Sequence, residues 1–338
     1  MSSPSTPRGV ATAGRVTANR KAPSRGAAAF PRAGNGLLWA VLAIGVGLLL
    51  APAVFQMFSR APDGEVMIDE FRPFMTRRKV AEFRGFLRTI DRAEHRARAE
   101  LDPTAAANLG VDPRAYRQQL TFLADFERQW SGINADMTDM LDRMERNLDN
   151  YAGVDALPPF SLFPWFFVVP GIVLAGGAAF AIVQGRRGHA ARGAVVLLVV
   201  VGVGLVAAPF IFQMFGRAPG GGDMIDDFRS LMTREKVTTV QGYFIIIGNG
   251  EAQLRNDALP AANVPAGTVP EVERFSADWP RINSELSPMV GVMADNVENF
   301  GSVDALPPFV LFPWFFVIPG VLVVVLGLGV LRTRRPDL

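Results

Sequence analysis

The chain has 338 residues, 49% of them hydrophobic and 20% charged, with no cysteine and two histidines. So little charge is unusual for a soluble domain, which averages about a quarter. The missing cysteines exclude disulfides, thiolate nucleophiles, Cys-ligated zinc and iron–sulfur clusters, and the net charge of +2 conceals a strong segregation along the chain.

Residues 1–35 carry Arg8, Arg15, Arg20, Lys21, Arg25 and Arg32 and no acidic residue, in a setting rich in Ala, Gly, Pro and Ser. This predicts a disordered tail whose charges can contact anionic lipid head groups. An uncharged stretch, 36–58, follows; three more occupy 160–184, 193–215 and 309–331. At about 1.5 Å per residue, helices of these lengths cross a hydrocarbon core of about 30 Å. The expected fold is an all-α integral membrane protein with four transmembrane helices. The first span exceeds the roughly 7–15 apolar residues of a signal-peptide core and so reads as a retained anchor.

Between the first two spans, segment 59–159 predicts a helical domain. Val80, Phe83, Phe86, Leu87 and Ile90 recur at steps of three and four, giving a helix from Thr76 to about Leu101 with Thr76 as its N-cap. Pro103, Gly110 and Pro113 supply turn chemistry. Helical patterns then run from Pro113 toward Trp130 and from Ile133 to Tyr151, as one bent helix or two. A short loop, 185–192, joins the second and third spans. In segment 216–308, "GYFIIIGNG" is helical by analogy with the first segment, with a short strand or membrane-grazing stretch as the alternative. Pro280 predicts a break after Trp279. Pro62-Asp63-Gly64 and Pro219 to Gly222 read as hinges. Segment 332–338 is a short basic tail.

Arginine and lysine set the orientation. The loop 185–192 contains Arg186, Arg187 and Arg192, whereas segments 59–159 and 216–308 are net acidic. The positive-inside rule then places both termini and the loop in the cytoplasm of a plasma (inner) membrane, with the two large segments as extracytoplasmic domains. The Arg-, Ala- and Gly-rich composition suggests a bacterial source.

The chain also reads as two copies of one unit. "MIDEFRPFMTRRKV" matches "MIDDFRSLMTREKV" at an offset of 157, and "VDALPPFSLFPWFFVVPG" matches "VDALPPFVLFPWFFVIPG" at 149. Two spans per unit make the copies parallel tandem repeats, with an axis along the membrane normal. The expected assembly is a four-helix membrane bundle with two outer domains side by side.

Matched residues concentrate at the outer ends of the spans and define a candidate juxtamembrane collar: Arg60, Asp155, Trp165, Arg217, Asp304 and Trp314. The tryptophans fit an aromatic belt, and the charges suggest the pairs Arg60–Asp155 and Arg217–Asp304. Met137, Met140 and Met144, with Met289 and Met293, read as core packing rather than a metal or ligand groove. Asp69-Glu70 and Asp226-Asp227 fall far short of a calcium site and read as carboxylates near helix starts. His95 and His189 read as solvated. Gly45, Gly47, Gly171, Gly176, Gly177, Gly202, Gly204 and Gly320 suggest close helix contacts.

No nucleophile-elbow, zincin or P-loop pattern occurs, so neither catalytic, cofactor-binding nor metal residues are assigned. The expected function is a non-enzymatic cell-envelope protein whose paired outer domains bind a protein or lipid-like partner, with membrane lipids and self-association, and not nucleic acid, as partners. The alternatives are a channel or accessory transport subunit, which requires a cavity between the spans, and a ligand-sensing receptor, which requires a pocket in an outer domain. The uncharged spans speak against ion-coupled transport.

Overall fold

The computed structural model describes residues 32–187, 189 and 191–333. It is all-helical, with no strand among the described residues. The first half contains α1 (Arg32–Val54), α2 (Met57–Phe71), α3 (Arg77–Arg96), α4 (Asp102–Leu109), α5 (Pro113–Gln119), α6 (Thr121–Arg146), α7 (Leu148–Asp155) and α8 (Phe163–Arg186). The second contains α9 (Arg192–Ile211), α10 (Met214–Phe228), α11 (Arg234–Gln253), α12 (Leu259–Ala262), α13 (Pro270–Asp295), α14 (Val297–Asp304) and α15 (Trp314–Thr333). Of the tail expected to be disordered, 1–35, residues 32–35 begin α1 instead, and 1–31 lie outside the described residues.

Four helical stretches are long and apolar enough to cross a membrane: Asn35–Val54, Phe160–Arg186, Arg192–Ile211 and Phe309–Thr333. Their burial is inverted relative to a water-soluble bundle. Leu50, Ile172, Val200 and Val325 are each more than half exposed, while Leu38, Leu174, Leu198 and Val323 are buried inside. Two pairs are close-packed. A Cβ on Gly45 would lie 2.5 Å from the Ala175 backbone nitrogen, and one on Gly320 would lie 2.8 Å from the Gly202 carbonyl oxygen. Small residues thus let α1 meet α8 and α9 meet α15 backbone to backbone, the contact that holds helices together in lipid. Gly47, Gly176 and Gly204 have nothing within 4 Å of such a Cβ, so the glycine pattern is only partly contact.

The first and third apolar runs end earlier than charge alone suggests. Pro52 and Pro209 lie in the last turns of α1 and α9, and Gln56 and Gln213 then adopt left-handed conformations, φ 52° and 54°. A left-handed non-glycine residue is costly, and here it breaks each run, so "FQMF" straddles a membrane helix and the next helix. The expected hinges are helical instead. Pro62 lies inside α2 and Pro219 inside α10. The glycines beside Pro219 serve close approach: a Cβ on Gly220 would sit 2.8 Å from Asn150 Oδ1.

Thr76 and Thr233 cap α3 and α11, their hydroxyls accepting from the backbone N–H of Lys79 and Lys236. Each of these helices then runs through one π-helical turn, Ala97–Leu101 or Leu254–Ala258. The expected helix from Pro113 toward Trp130 is interrupted at Leu120; from Thr121 through Trp130 and Ile133 the chain is then a single helix, with a further break at Asn147. "GYFIIIGNG" lies within α11, where Ile247 is buried and Tyr243, Phe244 and Ile246 pack on the core. Pro280 does not break α13. A helix-interior proline costs about 3 kcal/mol, but Val272, Phe275, Ile282 and Leu286 on the same helix are buried, at roughly 1.5–3 kcal/mol each.

The two large segments do not fold as separate bundles side by side. α3 packs on α13, α11 on α6, α2 on α14 and α10 on α7, so one hydrophobic core contains side chains of both. The ion pairs Lys79–Glu285 and Lys236–Asp136 tie the segments together at two places. Residues 149 positions apart meet each other: Phe126 stacks on Phe275 at 6.3 Å, Phe163 meets Phe312 at 5.8 Å, and Phe167 meets Phe316 at 4.8 Å.

Candidate functional site

The junction between the spans and the extramembrane body is where most matched residues come together. α2 leaves α1 through Gln56, which brings Arg60 across to the other half: its Nη1 donates to the Ala305 carbonyl oxygen at 3.0 Å and the Phe55 carbonyl oxygen at 3.4 Å. Arg217 likewise donates to the Ala156 carbonyl oxygen at 3.0 Å. The expected pairs Arg60–Asp155 and Arg217–Asp304 are therefore replaced. Asp155 instead receives Arg72 at 2.7 Å, and Asp304 receives Arg229 at 2.7 Å. The reason is geometric: Arg72 and Arg229 follow the C-terminal ends of α2 and α10, where α7 and α14 of the same half end, whereas Arg60 and Arg217, near the starts of α2 and α10, reach the end of the other half's helix at Ala305 and Ala156. These carboxylates hold both arginines well above the ordinary guanidinium range through hydrogen bonds. Trp165 and Trp314 sit edge-on to Phe58 and Phe215 at 5.7 and 5.5 Å, about half exposed at the boundary.

The acidic pairs "DE" and "DD" also occupy a different place from the one expected. They lie in the last turns of α2 and α10, where the helix dipole opposes negative charge, and they are held by cross-segment contacts. Glu70 accepts from Asn296 Nδ2 at 2.6 Å and Asp227 from Asn147 Nδ2 at 2.7 Å; both asparagines are fully buried. Asp69 and Asp226 pair with Arg72 and Arg229 three residues on.

Directly inside this ring lies a cavity of about 80 Å³. Its walls include Met67, Met75, Met140, Met144, Met224, Met232, Met289 and Met293, two-thirds of the twelve methionines in the chain. Ile68, Phe71, Tyr151, Ile225, Phe228, Leu231 and Phe300 complete the lining. Tyr151 turns its hydroxyl away, donating it to the Ile68 carbonyl oxygen, so the wall is apolar throughout. Burial and then Asp155 push that phenol above its ordinary range. Met137 faces the core and not the cavity. The methionine stripe is thus core packing, as helical spacing implies, but core packing around a space. Periodicity cannot show that space, because α2, α10 and the turns that follow them bring four of the methionines, Met67, Met75, Met224 and Met232, from outside the stripe.

A second polar cluster lies at α3–α6. Glu94, Asp102 and Glu127 are almost fully buried beside Arg98 and Arg117. Burial, followed by the neighbouring Asp102, pushes Glu127 up to about 8 against Arg98 and Arg117. Burial raises Asp102 too, although Arg117 Nε lies 3.2 Å from its Oδ2. Asp102 Oδ1 and Glu127 Oε1 are buried without a partner, and the two carboxyls are within hydrogen-bonding reach. A proton held between them would satisfy both oxygens. Tyr116, raised to about 12 by burial and by Asp102, is the third buried and unpartnered group. No spacing rule marks this cluster in the sequence, because Glu127 is indistinguishable from a surface glutamate until α6 is docked.

His95 is largely exposed, within 3.5 Å of Glu94 and 3.8 Å of Asp91; His189 is exposed in the loop. Among the described residues no group of three or more His, Asp or Glu is placed to hold a metal ion. The architecture is that of an all-helical protein with four helices able to cross a membrane. Neither a protein-family model nor a curated protein sequence matches the chain.

Proposed function

We propose that the protein is a non-enzymatic, multi-pass cell-envelope protein built from a duplicated unit, whose extracytoplasmic body binds a lipid-like apolar ligand in the methionine-lined cavity. The cavity carries this reading. An apolar space of about 80 Å³ is smaller than the roughly 150 Å³ cavity that takes up benzene; it fits the end of an alkyl chain, and flexible thioether side chains can widen it. The arginine distribution supports a plasma (inner) membrane with both termini in the cytoplasm. The duplication is supported by paired contacts at offsets of 157 and 149, such as Lys79–Glu285 with Lys236–Asp136. The pocket within the body favours ligand binding over passage between the spans, and protein partners or self-association would then use its outer surface.

The test is titration of the detergent-purified chain with a fluorescent polyene fatty acid. Saturable binding is expected, weakened about tenfold or more when Met140→Trp and Met289→Trp together fill the space, as removal of a chain's burial implies. Binding that is absent, or unchanged in that variant, contradicts the proposal.

A further inference from the structure

A separate apolar groove of about 210 Å³ opens between the outer ends of α1 and α15. Leu48, Ala51, Phe55 and Met57 form one side, and Phe312, Trp314, Ile318 and Pro319 the other. It exists because Pro52 and Pro319 sit in the helices that face each other there, and because Gln56 turns the chain away before α1 can close against α15. The wall offers no polar partner, so water is poorly held in it, whereas an alkyl chain gains from burial there.

The groove's mouth is charged. Arg60 is the side chain that bridges its two walls: Nη1 donates to the carbonyl oxygens of Phe55, a lining residue, and of Ala305, two residues before the lining Pro307. Among the described residues no carboxylate lies within ion-pair distance of Arg60; Asp304, the carboxylate next to Ala305, is taken by Arg229. A guanidinium has five N–H donors in a planar fork, so most of this one is uncommitted. It stands just beyond the end of α1 and beside the level of Trp314, where phosphate groups of an outer leaflet lie.

We propose that this groove is a glycerophospholipid site, in which one acyl chain lies between α1 and α15 and the phosphate diester is held by Arg60. Arginine recognises phosphate through parallel N–H donors, and the open side of the groove faces the membrane from which the lipid comes. The site rests on the spans lying in lipid and is independent of the methionine cavity.

The full chain, reconstituted in nanodiscs, is to be labelled with phosphatidylglycerol bearing a photoreactive diazirine on one acyl chain, and the adducts mapped by peptide mass spectrometry. Labelling is expected to concentrate on Leu48–Met57 and Phe312–Pro319. Arg60→Gln should lower it on the order of tenfold, as loss of a charged hydrogen bond implies, while Arg60→Lys retains much of it and Arg217→Gln leaves it unchanged. A diacylglycerol probe lacking phosphate should label this groove weakly, and free glycerol phosphate should not compete. Ala51→Phe, which fills the groove and leaves the arginine in place, should abolish labelling there while the thermal transition persists. Even labelling of all four spans, or labelling indifferent to both Arg60→Gln and Ala51→Phe, overturns the proposal. So does full competition by free glycerol phosphate.

Discussion

The two halves of the extramembrane body make the same framework contacts but differ at one buried place. In the first half, Glu94, Asp102 and Glu127 surround Arg98 and Arg117; at the corresponding offsets the second half has Glu251 paired with Arg255, then Leu259 and Ser276. Trp130 Nε1 donates to Asp91 at 3.0 Å, whereas Trp279 packs on Gly248, where a Cβ would lie 3.3 Å from the ring. α3, α4 and α6 are matched by α11, α12 and α13, but α5, which carries Tyr116 and Arg117, has no counterpart in the second half. The helices that carry the carboxyl pair thus have partners that form without it, and the pair gives the first half a proton-linked site.

The comparison can be broken first in the framework. Gly45→Leu and Gly202→Leu should each destabilise the protein by about 3 kcal/mol or more, since overpacking against a backbone cannot relax. Gly47→Leu and Gly204→Leu, with open space around them, should be silent. Thermal unfolding in detergent measures all four, and unequal effects of the first two would show that the halves are not equivalent.

Next in size are the buried asparagines. Asn147→Leu and Asn296→Leu each leave an acidic partner, Asp227 or Glu70, without its amide donor. Losses of about 1–3 kcal/mol are expected, the same for both within error, in chemical denaturation.

Smaller at neutral pH, but growing with alkalinity, is the effect of moving the second half's residues into the first. Glu127 has its folded pKa raised from 4.5 to about 8, and Asp102 is raised as well. The folded state then holds a proton that the unfolded chain releases, so stability falls as pH rises from 4.5 through about 8. The double variant Asp102→Leu with Glu127→Ser should flatten that profile. A wild-type profile that rises over this interval contradicts the shared proton. Least of all, His95→Ala, at an exposed side chain, should change stability by no more than about 0.5 kcal/mol.

The spans are legible in the sequence because a water-soluble chain rarely goes without charge for the whole thickness of a membrane, and Thr76 announces α3 because a cap is a local interaction. The docking of the segments is not legible. Helical periodicity identifies the buried face of α3 or α13 but not which helix covers it, so a side-by-side arrangement and an interlocked one produce the same pattern. The collar shows this most clearly: its residues stand out by their recurrence, but the partners of Asp155 and Asp304 depend on where α2 and α10 end. The left-handed Gln56 and Gln213 carry no signal, since glutamine is not a residue that favours that conformation.

The absence of native cysteine allows the interlocking to be tested directly. Lys79→Cys with Glu285→Cys, at the positions of a direct ion pair, is to be treated in membranes with a short thiol cross-linker, after which the chain is cut at a protease site placed in the 187–191 loop. The interlocked body predicts that the halves remain joined as one species under denaturing conditions. Two free fragments in the presence of linker would contradict it, by showing that segments 59–159 and 216–308 do not share a core.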